Sequence, residues 1–230
     1  MKNTHHEGDH RDRVLAEQNR HLYGALPGTL VIATLLVTLL AYAHMTLVPP
    51  AVLLVWLGAF AVITVSRTAL YLAYRNTSGR HAISEKWYRR YRLFTLLSGL
   101  TWGSSAWVFI GPDVSAHTAL LTFVVAGLGA AGVINAAARW QCAWLFLLPA
   151  LLPFALRFWL LETPLADITA ILVLLYVAAL LVMSKQLSRK ILGHIRDRVE
   201  QADQAEQSRR QRQHYQSLVE STTAIIWEGD

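Results

Sequence analysis

The chain has 230 residues, 54% of them hydrophobic and only 16% charged, with 21 Lys and Arg against 15 Asp and Glu and a formal net charge of +6. A typical soluble domain carries about 25% charged residues, so this composition excludes an ordinary water-soluble enzyme. Cys142 is the single cysteine, which excludes an intramolecular disulfide and a cysteine-based zinc site.

Residues 1–24 form a polar leader of mixed charge. The apolar stretch behind it starts too late, and lacks the small-residue cleavage site, to be a removable signal peptide. Six blocks then follow in which apolar residues dominate, about 25–44, 51–73, 93–111, 117–136, 141–161 and 165–183. A bilayer core roughly 30 Å thick needs about 20 such residues per helix, so the expected fold is an all-α membrane protein with six transmembrane helices. After Met183 the composition turns polar and helix-forming without a proline, predicting a cytoplasmic stalk over 184–215. Leu187, Ile191, Ile195, Val199, Ala202 and Ala205 recur every three or four residues along it. That narrow stripe is a weak coiled-coil seam and predicts a parallel homodimer; the alternative is one amphipathic helix lying on the inner leaflet. Residues 216–230 end on a short β-like run, Ala224 to Trp227. A strand cannot stand alone, so the run reads as the first piece of a further cytoplasmic domain.

Orientation follows from the basic residues of the short connections. Lys2, Arg11, Arg13 and Arg20 precede the first block; Arg75, Arg80, Lys86, Arg89, Arg90 and Arg92 follow the second; Arg139 follows the fourth; Lys185, Arg189 and Lys190 open the stalk. All fall on one side. The opposite connections, Val48-Pro49-Pro50, Gly111-Pro112-Asp113 and Glu162-Thr163-Pro164, hold no Lys or Arg. Both termini are therefore expected in the cytoplasm, and the basic excess reads as topology signal and contact with anionic lipid. Nucleic-acid binding would need a basic, aromatic-interleaved face on a soluble domain, and no partner of that kind is expected.

Gly127, Gly129 and Gly132 spell G-x-G-x-x-G but follow no strand, so a dinucleotide site fails its structural condition, and no cofactor is expected. Small residues let helices approach closely in lipid, which makes Gly99, Gly103, Gly127, Gly129 and Gly132 packing candidates. Pro149 and Pro153 each remove a backbone bond from the fifth block and bend it, and a bent helix leaves room for an apolar ligand. Arg157 is a charge toward the outer end of that helix. It would bind the head group of a fatty acid or lipid phosphate, or else snorkel or pair with Glu162 or Asp167. Trp102, Asn135 and Trp159 are weaker ligand candidates, with belt anchoring and interhelical hydrogen bonding as the plain alternatives. Arg67, near the inner end of the second block, reads as a snorkelling side chain. His44, Met45 and His117 could suit copper, but a belt or loop role fits better, and His5, His6 and His10 of the leader receive no function.

Arg89-Arg90-Tyr91-Arg92 with Ser98-Gly99-Leu100-Thr101-Trp102-Gly103, then 126–132, then 147–157, form a succession that resembles the N-terminal multi-helix sensor region of bacterial signalling proteins. Those proteins include membrane-bound diguanylate cyclases, cyclic-di-GMP phosphodiesterases and hybrid histidine kinases. Leu218-Val219-Glu220-Ser221 resembles the opening of a PAS domain. The resemblance implies a dimeric input module in the bacterial inner membrane, with cyclic-di-GMP turnover as the favoured output and a kinase as the alternative. It implies no catalysis within these residues, where the GGDEF and EAL sequences are absent. A small transporter or a passive membrane anchor are the rival readings. Transporters place several ionisable groups near the midplane, and here Asn135 is nearly alone.

Overall fold

The computed structural model describes residues 3–77, 85–111 and 115–227, with side chains from Val14 to Arg212 apart from those of 203, 206, 207 and 210. Arg80, Pro112 and Asp113 lie outside the described residues, as do the side chains of His5, His6 and His10 and all of 228–230. Every described element is an α-helix: α1 Asn3–Gly24, α2 Leu26–His44, α3 Pro50–Arg75, α4 Glu85–Phe109, α5 Ala116–Asn135, α6 Trp140–Trp159 and α7 Pro164–Trp227. All six apolar blocks are helical. Among the described residues, five helical stretches are long and apolar enough to cross a membrane: Val14–His44, Pro50–Arg75, Ala116–Asn135, Trp140–Trp159 and Pro164–Ala202.

The polar leader is itself a helix, interrupted from α2 only at Ala25. Pro27 explains the interruption, because its missing N–H leaves the Tyr23 carbonyl without its partner four residues on. Thr29 covers part of the junction, its hydroxyl donating to the carbonyls of Ala25 and Leu26 at 3.2 and 2.7 Å. Pro50 opens α3 at a position where a missing donor costs nothing. Ser115 caps α5, its hydroxyl accepting from the Thr118 N–H at 3.3 Å.

The third apolar block, α4, differs from the expectation. It falls outside the set of helices apolar enough to span, because Arg89, Arg90 and Arg92 sit in its first turns and Ser98, Gly99, Thr101, Gly103, Ser104 and Ser105 in its second half. Yet α4 buries more of its length than its neighbours, from Trp87 and Tyr91 through Ser98, Trp102 and Ala106 to Phe109. It packs most extensively on α6 and also contacts α3 and α5. A helix that buries one broad side in protein needs less apolar surface than one facing lipid all round, and the open side of α4 carries Leu93, Leu97, Leu100 and Trp107.

Lipid offers no hydrophobic drive to press helices together, so their association rests on close packing and hydrogen bonds. Gly99 and Gly103, four residues apart, make α4 smooth on the side that meets α6. A Cβ on Gly99 would lie 2.7 Å from both the Phe146 carbonyl oxygen and the Pro149 ring, and one on Gly103 would overlap the Pro149 carbonyl. That carbonyl has lost its helical donor to Pro153, so the Pro149 and Pro153 pair supplies the surface that fits the glycine notch. On α5, Gly132 and Gly129 play the same part, against Phe146 and against Leu147, Leu151 and Leu180. Gly127 departs from the packing expectation: nothing lies within 4 Å of its Cβ direction, because two residues of helix turn it about 200° away from Gly129.

α7 is one helix of 64 residues, about 96 Å long at 1.5 Å per residue. Its last part includes Ala224–Trp227, expected as a strand and found as helix; with no strand to pair with, the run continues the helix before it. α1 packs along α7. Leu187 and Ile191 are half-buried and Ile195 is buried within the chain, while Val199 is half-exposed and Ala202 and Ala205 are exposed. The first half of the apolar stripe is therefore used inside the chain, and only its second half is open to a partner.

Candidate ligand site

The chain runs up and down, so the basic ends of α3, α4, α5 and α6 gather beside α1 and the middle of α7. Aromatic rings hold this end together. Tyr23 of α1 stacks on Tyr74 of α3 at 4.0 Å and meets Trp87 and Tyr91 of α4 edge-on, while its hydroxyl donates to the Trp87 carbonyl at 2.9 Å. Arg139 lies 3.8 Å over the Tyr88 ring and donates to Gln18 of α1 at 2.9 Å. Lys185 of α7 lies over Trp140 and Trp144, and Trp144 donates to Ser184 at 3.1 Å. Cation–π contacts of this kind are worth about 0.5–1 kcal/mol each when exposed, and together they bind the stalk's base to the bundle.

At the opposite end Arg157 does not face a cavity. Its Nε and Nη2 donate to the Ile110 carbonyl at 3.2 and 2.8 Å, and Nη2 donates to the Gly111 carbonyl at 3.3 Å. These carbonyls sit just past the end of α4, where helix termini leave acceptors unmet and a cation is favoured. The guanidinium also lies 5.7 Å from the Trp107 ring. Backbone carbonyls, in place of Glu162 or Asp167, are its partners. His44 and His117 meet here with ring centroids 5.6 Å apart, and His44 Nδ1 is bonded to the Leu40 carbonyl oxygen at 2.9 Å.

Two of the cavities among the described residues are lined by predicted ligand residues. The larger, about 710 Å³, is an open apolar groove between α4, α6 and α7. Pro149, Leu152, Pro153, Leu156 and Trp159 line it from a single face of α6, with Trp107 and Leu174 opposite. Pro149 and Pro153 both border this groove, as does Trp159, which remains 59% exposed.

The smaller cavity, about 100 Å³, lies deeper, among α2, α3, α4, α5 and α6. Trp102, 1% exposed, and Asn135 both line it. The side chain that joins them there is Arg67, together with Tyr91, Thr95, Ser98 and Cys142. Arg67 Nη1 donates to the Ser98 hydroxyl at 3.2 Å. The four proposed ligand residues are therefore divided: Trp102 and Asn135 share the inner cavity, Trp159 borders the groove, and Arg157 caps a helix.

Arg67 turns inward where the sequence reading has it snorkelling, and its spacing explains why. The buried positions of α3 are Trp56, Phe60 and Leu70. Arg67 follows Trp56 by eleven and Phe60 by seven residues and precedes Leu70 by three, which places it on the same helix face. That periodicity was visible in the sequence once the aromatic positions were taken as inward.

No family model, no curated protein and no solved structure matches the chain.

Proposed function

We propose that the chain is a sensory input module of a bacterial inner membrane, with both termini cytoplasmic and α4 as the sixth span. The observation that carries this reading is α7: one helix leaves the bundle, where it contacts α5 and α6, and continues without a break into the polar stalk. A change in bundle packing that shifts or rotates the membrane part of α7 must move the stalk with it. Two discrete packings, differing in affinity for a ligand or in fit to the membrane, are all that such a signal requires. The clustering of basic residues beside α1 and the stalk supports the cytoplasmic assignment of that end.

Dimerisation in this reading uses the open half of the stripe, from Val199 onward, because Ile195 is already covered. The output served by the stalk is cyclic-di-GMP turnover, an assignment resting on the sequence resemblance alone. The reading is tested by joining the chain to a dimerisation-dependent cyclase reporter after Asp230 and inserting residues after Gln201. One inserted alanine turns everything beyond it by about 100° and is expected to change reporter activity severalfold. Seven inserted residues restore nearly the same face and the original activity. Activity that ignores the length of the insertion would sink the rigid-stalk reading.

A further inference from the structure

We infer that the inner cavity is a head-group site for an anionic amphiphile, with Arg67 as the residue that holds its carboxylate or phosphate. The inference rests on the sensory reading above for its purpose and on the cavity for its chemistry.

Arg67 lies about 12 Å of helix inside α3 from Arg75 at 1.5 Å per residue, within a stretch apolar enough to span. Charge at such depth is costly and is ordinarily paired. The span region from 25 to 183 contains four acidic residues, Glu85, Asp113, Glu162 and Asp167; Asp113 lies outside the described residues, and the other three stand in the first turn of a helix or in a connection rather than beside Arg67. Among the described residues the one hydrogen-bond partner of Arg67 is the Ser98 hydroxyl, a neutral group meeting one of five guanidinium N–H bonds. Arg157 shows the contrast, its guanidinium held by two backbone carbonyls. A bidentate oxyanion is the complement a guanidinium lacks in this setting, and Tyr91, Thr95 and Asn135 offer further polar atoms around it.

The shape selects an amphiphile over a free anion. The cavity's lining reaches the apolar surface at Ile32 of α2, 57% exposed, and Ala131 of α5, also exposed, and these two form its mouth. α2 and α5 make only a slender contact, so the opening is lateral, toward the acyl region of the leaflet nearer the stalk. A volume of about 100 Å³ holds a head group and leaves the chain outside in lipid. The ligand touches α2, α3, α4 and α5 at once, so its arrival alters the packing of the bundle. It also adjoins Cys142 and Phe146 of α6, the helix on which the membrane part of α7 packs most extensively.

The test is photolabelling of the full chain in phosphatidylcholine vesicles with three diazirine probes: a photoreactive palmitate, a photoreactive phosphatidylglycerol and the methyl ester of the palmitate probe. Labelling of α2 and α5 by at least one acidic probe, about tenfold above the methyl ester, is expected. Palmitate alone would name a free fatty acid as the source, and phosphatidylglycerol alone a membrane lipid. Arg67→Gln is expected to lower the labelling about tenfold, and Arg67→Lys to keep part of it. Ala131→Leu narrows the mouth without touching the Arg67–Ser98 bond, so it decides the matter if Arg67→Gln fails to fold. Equal labelling by the methyl ester, or acidic labelling unchanged in Ala131→Leu and in any folded Arg67→Gln protein, overturns the site. A site lost here with insertion-dependent output intact leaves the sensor standing without this ligand; a site confirmed with insertion-blind output leaves the ligand standing without the sensor.

Discussion

Gly103→Ala is expected to destabilise the purified chain more than any other single-methyl change in the bundle. The added Cβ would overlap the Pro149 carbonyl and stand 3.0 Å from the Pro153 ring. Neither is the free end of a flexible side chain, so α4 and α6 must separate. Overpacking in a rigid contact costs about 1–3 kcal/mol, and here it strikes the most extensive helix pair in the molecule. Thermal melting in detergent, followed by gel filtration of the surviving folded fraction, measures it. Gly127→Ala is the matched control: its Cβ meets nothing, and alanine in place of a helical glycine gains up to about 1 kcal/mol. Equal melting of the two variants would remove the glycine notch as the basis of α4–α6 packing.

Trp102→Ala is the second large effect, acting where α4 meets α3, about 100° round the helix from Gly103. Trp102 is 1% exposed and meets Trp56 and Phe60 of α3 edge-on, with ring centroids at 6.2 and 5.6 Å. Trp56 extends the cluster to Phe109 and donates its indole N–H to the Thr101 carbonyl at 3.2 Å. Truncating such a residue costs about 3–5 kcal/mol in soluble cores. The dispersion lost to the void persists even where lipid removes the hydrophobic part. A drop of about 3 kcal/mol is expected on melting, with Trp102→Phe in between and Trp159→Ala, on the exposed border of the groove, within about 0.5 kcal/mol. A Trp102→Ala protein as stable as Trp159→Ala would mean that the aromatic seam between α3 and α4 contributes nothing.

Both effects concern α4, and α4 marks the boundary of what the sequence made legible. Hydropathy located all six helical blocks, because apolar helices announce themselves by composition, although α4 begins at Glu85, eight residues before its block. It carries no information on which helix buries most of its length against the others, and α4 pairs a modest apolar content with the deepest burial. The packing glycines were legible as a class, but assigning each to a contact needed the helical register, which turns Gly127 outward and Gly103 onto Pro149. The stalk stripe was legible as periodicity; that α1 packs on α7 was not, because a polar leader shows little apolar signal of its own beyond Val14, Leu15, Leu22 and Tyr23. Arg157 and Arg67 exchanged places for the same reason. Isolation in an apolar run draws attention to Arg157, while the face shared with Trp56, Phe60 and Leu70 is what turns Arg67 toward the ligand-sized space.

The transfer of bundle packing to the stalk is tested most directly by the distance between stalks. A nitroxide placed through Glu200→Cys, with the buried Cys142 of the inner cavity left in place, reports that distance by dipolar electron paramagnetic resonance in vesicles. Glu200 is exposed and lies where the covered half of the stripe gives way to the open half. A defined distance between two copies, changing on addition of palmitate or phosphatidylglycerol, is the expected result. A distribution indistinguishable from that of randomly spread monomers would contradict it, whereas a defined distance that no acidic amphiphile moves would contradict the ligand assignment and leave the paired stalk standing.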